Sequence, residues 1–269
     1  MTDSLGAWSN APLAYALAEV RTAHLADIKN YQPDLAGRLR DEYPVQRAMQ
    51  TAKLIATGAQ LVMEASPEAA WEFAAPDNLS GVILRPNGLV LHATAYRDTA
   101  HFLAQLHRIV CVLAECVPSV FVQRLGLRYV DFVLPLEGEE PEAYVRKELN
   151  PDLGLSVRSR GVTGTSLAIY PMDDEIVLSL RYVRGHGKPE MPPDLGMLSL
   201  SPSPLMQRPV KEGKATGVLD FDCNRAYSPV ERLDPGRVQA QFASIYEISF
   251  NAFTSAITKH AKNIWGAKE

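Results

Sequence analysis

The sequence predicts an α+β fold, with two strand-rich halves of mainly antiparallel sheet, each packed by one long amphipathic helix. Three observations predict it. The hexapeptide Leu125-Gly-Leu-Arg-Tyr-Val130 recurs as Leu178-Ser-Leu-Arg-Tyr-Val183, five of six residues matching at a separation of 53 positions. Each copy alternates as a half-buried strand does, with Leu125, Leu127 and Tyr129 on one side and Gly126, Arg128 and Val130 on the other. Leu178, Leu180 and Tyr182 repeat that division opposite Ser179, Arg181 and Val183, which hints at an internal duplication. Two further segments carry apolar residues at helical spacing: Phe102, Leu103, Leu106, Ile109, Val110, Leu113 and Val117, then Val238, Phe242, Ile245, Tyr246, Ser249, Phe253 and Ile257.

In chain order, residues 11–24 read as an opening strand with some helical character. Pro33–Tyr43 reads as a short helix, with Pro33 in its first turn and Pro44 past its end. Residues 48–64 fit strand or helix equally. Trp71-Glu-Phe73 begins a clearer strand. Gly81–Arg85 and Gly88–His92 flank Pro86-Asn87-Gly88, and Asn-Gly between two apolar runs signals a hairpin. Asp98 or Thr99 caps the first long helix, which Pro118 ends. Residues 120–134 form the clearest strand. The acidic stretch Glu137–Pro141 marks a break, giving halves 1–136 and 137–269, either separate or merged into one compact domain. A short helix near Glu142–Leu149, strand character over 153–170 and a hairpin into 175–183 follow. Six prolines between 185 and 217 argue for an extended excursion there. Residues 217–227 return to strand, and the second long helix starts after Asp234 and runs close to Trp265.

The hydrophobic fraction of 46% and charged fraction of 22% are those of a globular protein. A net charge of −4 gives no basic footprint, so nucleic acid is not an expected partner. No apolar run reaches the roughly 18 residues of a membrane span, and the N-terminus lacks a signal-like core. The three cysteines, none in a C-x-x-C pair, agree with a cytoplasmic location.

Several stretches resemble a sporadically distributed bacterial and archaeal family of uncharacterised proteins of about this length. They are Pro12-Leu13 with Ala18–Arg21, Trp71–Phe73, Arg124-Leu-Gly-Leu-Arg-Tyr-Val130, Leu219-Asp-Phe-Asp222, and Phe250–Thr258. The resemblance spans nearly the whole chain, and its most specific element is Arg-Leu-Gly-Leu-Arg-Tyr. It implies no activity and no catalytic residues. The sporadic distribution implies a role among mobile-element or defence genes.

Three constellations can carry chemistry. His107 and Cys111, four apart on one helix face, could begin a zinc site near His101 and Cys116, with His92 or Cys223 supplied from elsewhere. The competing reading packs Cys111 and Cys116 as small hydrophobes, and no metal or cofactor is expected. Arg124 and Arg128 flank Gly126 on one strand face, and Arg181 holds the matching place in the echo strand. These arginines could hold a carboxylate or phosphate, or pair with acids on neighbouring strands. Asp131 or Asp222 would be the polar partner of such a ligand. Asp131, however, has the parity of Leu125, Leu127 and Tyr129, where a buried carboxylate needs partners. Asp220 and Asp222 share one face of their strand and could do acid–base work, bind a metal or pair with those arginines.

No phosphate-binding loop, dinucleotide fingerprint, H-E-x-x-H helix or nucleophile elbow is present. The leading expectation is therefore a non-enzymatic protein that binds another protein through Leu195, Met197, Leu198, Leu200, Leu205 and Met206 of the Pro-rich excursion. The alternative is a small-anion or nucleotide-binding protein, or an enzyme, using the arginine groove. Homo-oligomerisation through an edge strand is compatible with either.

Overall fold

Among the described residues, nine antiparallel strands form one sheet in the order β2-β3-β4-β5-β1-β6-β9-β8-β7. The strands are β1 (Leu13–Thr22), β2 (Val45–Thr57), β3 (Gln60–Ala74), β4 (Ser80–Arg85), β5 (Gly88–Ala93), β6 (Phe121–Val133), β7 (Gly164–Pro171), β8 (Ile176–His186) and β9 (Ala215–Arg232). The helices are α1 (Ile28–Leu39), α2 (Thr99–Cys116), α3 (Pro235–Ala256) and α4 (Lys259–Trp265). This computed structural model describes residues 8–57, 60–151, 163–173, 175–195 and 199–267, except the side chains of 50–57 and 60–69. The α+β class stands as the sequence predicts, and both long helices are present. The sheet runs without interruption across the 136/137 boundary, because β1 pairs with β6 and β6 with β9. Among the described residues no helix is long and apolar enough to cross a membrane.

One sheet face buries the core. Leu125, Leu127 and Tyr129 of β6, Leu178, Leu180 and Tyr182 of β8, and Leu219 and Phe221 of β9 pack there against Phe102, Leu106, Ile109, Val110 and Leu113 of α2 and Phe242, Ile245 and Phe253 of α3. The alternation read from the two hexapeptides is the alternation of the fold. The echo strands lie parallel to one another with β9 between them, so they are not neighbours. Asp98 caps α2 by accepting from the His101 amide at 2.7 Å, and Asp234 caps α3 by accepting from the Arg237 amide at 2.9 Å.

Three sequence readings change. The first helix begins five residues earlier than expected, and Pro33 sits inside it. Ile28, Leu35 and Leu39 are buried there, and that burial offsets the backbone bond Pro33 cannot make. The expected helix over 142–149 is instead two 3-10 turns, Pro141–Ala143 and Lys147–Leu149. The second long helix stops at Ala256 and restarts as α4. The last two differences share a cause. Val145 bridges Ile257, the Arg146 amide donates to the Ala256 carbonyl at 2.9 Å, and the Thr258 amide donates to the Tyr144 carbonyl at 3.0 Å. This tertiary backbone pairing holds both segments extended and overrides helical periodicity. The first part of the expected 153–170 strand lies outside the described residues, and β7 is its remainder.

Among the described residues no α-helix packs on the other sheet face. The segment between β8 and β9 folds back over it as a strap. Met191, Leu195, Leu205 and Met206 pack on Tyr15, Val130, Phe132 and Val218 of the sheet.

Candidate functional site

Under the strap a polar stripe crosses the sheet at right angles to the strands. Its parts come from positions sharing one parity: Arg47 (β2), Glu72 (β3), His92 (β5), Tyr15 (β1), Arg128 (β6), Asp220 (β9) and Arg181 (β8). One half is a relay. The Tyr15 hydroxyl lies 3.0 Å from His92 Nδ1, and His92 Nε2 lies 3.0 Å from Glu72 Oε1. The imidazole reaches β3 from β5 by passing over Gly81 of the intervening β4. A Cβ at residue 81 would stand 3.2 Å from His92 Nε2 and 3.1 Å from the Phe73 carbonyl oxygen. Glycine is therefore what lets the histidine span two strands.

Glu72 is fully buried. Burial raises its pKa, but hydrogen bonds from His92 and Ser199 and the charge of Arg47 outweigh that and leave the carboxyl below its ordinary range. An ionised carboxylate only accepts, so Nε2 of His92 carries the proton shared with Glu72. In the neutral ring Nδ1 then accepts the Tyr15 hydroxyl proton. Burial pushes the Tyr15 phenol well above its usual range, partly countered by Arg85.

The other half is an ion-pair knot. Arg128 grips Asp220 with Nε at 2.8 Å and Nη2 at 2.9 Å, and Arg181 grips the same carboxylate with Nε at 3.0 Å and Nη2 at 2.6 Å. Asp194 of the strap lies across both guanidiniums, at 2.5 and 3.1 Å from Arg128 and 3.1 Å from Arg181. Hydrogen bonding to Arg128, with its charge and a further hydrogen bond from Arg181, holds the Asp194 carboxyl down at about 2 despite partial burial. A second anchor of the strap is Ser199. Its hydroxyl donates to Glu72 at 2.5 Å, and its carbonyl accepts from Arg47 and Asn78.

Between the halves lies a cavity of about 230 Å³. Leu17, Met49, Ile83, Val90 and Leu195 form its apolar wall. Arg85, Arg124, Arg128, Tyr15 and His92 face it, as do the carboxylates of Glu19, Asp194 and Asp222. Gly126 is its floor. A Cβ at residue 126 would meet only ordinary contacts at 3.9 Å, and the backbone is not in the left-handed region. Neither close approach nor backbone conformation requires this glycine, so what its missing side chain supplies is space. Arg124 is only loosely satisfied, with Nη1 3.3 Å from Glu19 and Nη2 3.7 Å from Asp222. Burial raises the Asp222 carboxyl above its ordinary range, against the pull of Arg124 and Arg128. Among the described residues Arg85 has no hydrogen-bond or ion-pair partner, and its Nε is buried.

The arginines singled out in the sequence thus meet the acids of β9, with Asp220 as the hub. Arg124, Arg128 and Asp222 line the cavity, and Arg181 lies two strands beyond β6, in the knot. Asp131 does not join them. Its parity sends it to the helix-packed face, where it is fully buried and neither oxygen has a hydrogen-bond partner among the described residues. Of the strap residues, Leu200 is buried and Leu195, Leu205 and Met206 are half-buried against the protein's own sheet, while Met197 and Leu198 lie outside the described residues.

His107 and Cys111 approach to 3.6 Å on α2. His92 is on the opposite sheet face, and the described residues contain no group of three or more His, Cys, Asp or Glu suited to a metal. Sequence reasoning missed Tyr15, Glu72, Arg85, Asp194 and Ser199, and weighed His92 only as a metal ligand. The available signal was parity: His92 and Glu72 are single polar residues in otherwise apolar strand runs. No protein-family model matches this chain, and no curated protein is significantly similar to it.

Proposed function

We propose that the protein binds a small anion, of carboxylate or phosphate chemistry, in the cavity between the relay and the knot. The observation that carries this reading is the Arg85 guanidinium, which has no hydrogen-bond or ion-pair partner among the described residues, on the wall of a space that Gly126 keeps open. A cation half-removed from water with no direct ion pair among the described residues favours an anionic guest, and a planar guanidinium suits bidentate oxygens. Arg124 is the second donor, since its carboxylate contacts are long. The Tyr15–His92–Glu72 chain gives the guest a hydrogen-bond donor or acceptor and a route for a proton, so the site also suits acid–base chemistry on the bound anion. At about 230 Å³ the space is smaller than the roughly 300–1,000 Å³ of ordinary ligand sites, which favours a compact metabolite over a whole nucleotide. Docking of another protein through segment 185–217 has less support, because its described apolar side chains are spent on the sheet.

The test is thermal stabilisation by inorganic phosphate and by succinate, each titrated against the wild type, Arg85→Ala and Gly126→Leu. A guest at 100 times its Kd adds about 2.7 kcal/mol, which raises the melting temperature of a chain this size by several degrees. Both variants should keep the fold and lose the shift. An undiminished shift in Gly126→Leu would remove the cavity from consideration.

A further inference from the structure

The two edges of the sheet are not treated alike. The β2 edge is blunted. It carries Arg47 and Lys53, and its register slips between Gln50 and Ala52. Charges and bulges of this kind keep an edge strand from pairing with another chain. The β7 edge has neither device. Gly164-Thr-Ser-Leu-Ala-Ile-Tyr-Pro171 contains no charged residue, its one proline is the last residue, and its eight pairs with β8 run without a slip. Among the described residues no strand lies beyond it. It is also apolar on its exposed sides. Leu167 is 63% exposed and Ile169 61%, and Tyr170 and Met172 are exposed as well. A hydrophobic edge unpaired among the described residues, about 27 Å long at 3.4 Å per residue, is a template for strand addition.

We propose that β7 is a homodimer edge, pairing antiparallel with β7 of a second copy about a two-fold axis midway between Ala168 and its counterpart in that copy. The occupant follows from charge and pattern. Antiparallel self-pairing sets residues whose numbers sum to a constant opposite each other, so both members of a pair share a face. Centred on Ala168, it places Leu167 opposite the partner's Ile169 and Ile169 opposite the partner's Leu167, one apolar cluster of four on the strap side of the joined sheet. On the helix side Tyr170 meets the partner's Ser166. No like charges oppose one another anywhere along the strand, because the strand has none. Aliphatic cross-strand pairs of this kind are what stabilises a sheet. The joint is remote from the cavity, since β8 and β9 lie between β7 and β6.

Light scattering on the full chain decides the matter. The wild type should run at twice 29.6 kDa. Two double variants carry the register test, Leu167→Lys with Ile169→Lys and Leu167→Glu with Ile169→Glu. Each sets like charges opposite one another and should weaken dimerisation at least about 100-fold. Mixed in equal amounts, the two variants should recover a dimer containing one of each. A monomeric wild type, variants that dimerise as the wild type does, or a mixture that stays monomeric would each overturn the proposal.

Discussion

Replacing Asp131 by Asn should make the protein more stable as the pH rises, relative to the wild type. Asp131 sits on β6 between Leu13 of β1 and Leu219 of β9, fully buried, with no hydrogen bond to either oxygen from the described residues. Burial, and behind it the Asp220 charge, holds its carboxyl well above the ordinary range, so the folded chain keeps a proton that the unfolded chain loses above about pH 4. A group whose folded pKa is raised supports the fold fully below its unfolded pKa and loses that support as pH climbs toward the folded value. Over that window the folding equilibrium of the wild type should fall about tenfold per pH unit relative to the variant. The isosteric amide cannot ionise, so it lacks this dependence, while the other titrating groups cancel in the difference. Asn still buries an unpaired polar group, whose cost of about 1–3 kcal/mol is common to both chains to first order. Urea midpoints of the two proteins, compared across about pH 5 to 8, supply the difference directly. Parallel curves would mean that Asp131 is ionised or hydrogen-bonded in the folded chain, and the parity argument that isolates it would fail.

Three further outcomes follow from the stripe. Asp220→Ala leaves Arg128 and Arg181 facing each other with only the half-exposed Asp194 between them, and should cost about 3–5 kcal/mol in urea unfolding; a cost no larger than that of a surface pair would mean the knot is not desolvated. Gly81→Ala inserts a Cβ where His92 crosses, so the His92–Glu72 bond should lengthen or break at a cost of about 1–3 kcal/mol, with the change visible in the imidazole nitrogen shifts. Asp194→Ala removes one of the strap's polar anchors, and limited proteolysis within 188–210 should quicken while the global melting temperature moves little. Unchanged cleavage would leave Ser199 and the apolar contacts as sufficient restraint.

What could be read from the sequence was local. Period-two alternation fixed the two faces of β6 and β8, Asn87-Gly88 marked its hairpin, and α2 and α3 showed their stripes and caps. What could not be read depended on pairing between distant segments. Nothing local says that β9 enters between the two echo strands, yet that placement alone brings Asp220 within reach of both Arg128 and Arg181. The helix expected over 142–149 fails because its partner, Ile257, is more than a hundred residues away. The relay is a still harder case. Tyr15, Glu72 and His92 belong to three strands, and they meet because the strand between two of them carries glycine at one position.

The stripe also bears on why the sheet holds one register. A slip of one residue in any strand would turn its stripe member to the helix-packed face and bring an apolar neighbour to the strap side. Arg128, Glu72 or Asp220 would then lie in the core without a partner, which costs far more than a mispaired Leu. Seven strands each contribute a member, so the polar stripe specifies pairing where the apolar face, rich in interchangeable Leu and Val, does not. The two halves are satisfied within themselves, the relay by Arg47 and Ser199 and the knot by Asp194. Register therefore needs no bond between Tyr15 and Arg128. The gap left there, with Gly126 as its floor and Arg85 at its wall without a partner among the described residues, is not needed for register, and it is where the proposed anion would sit.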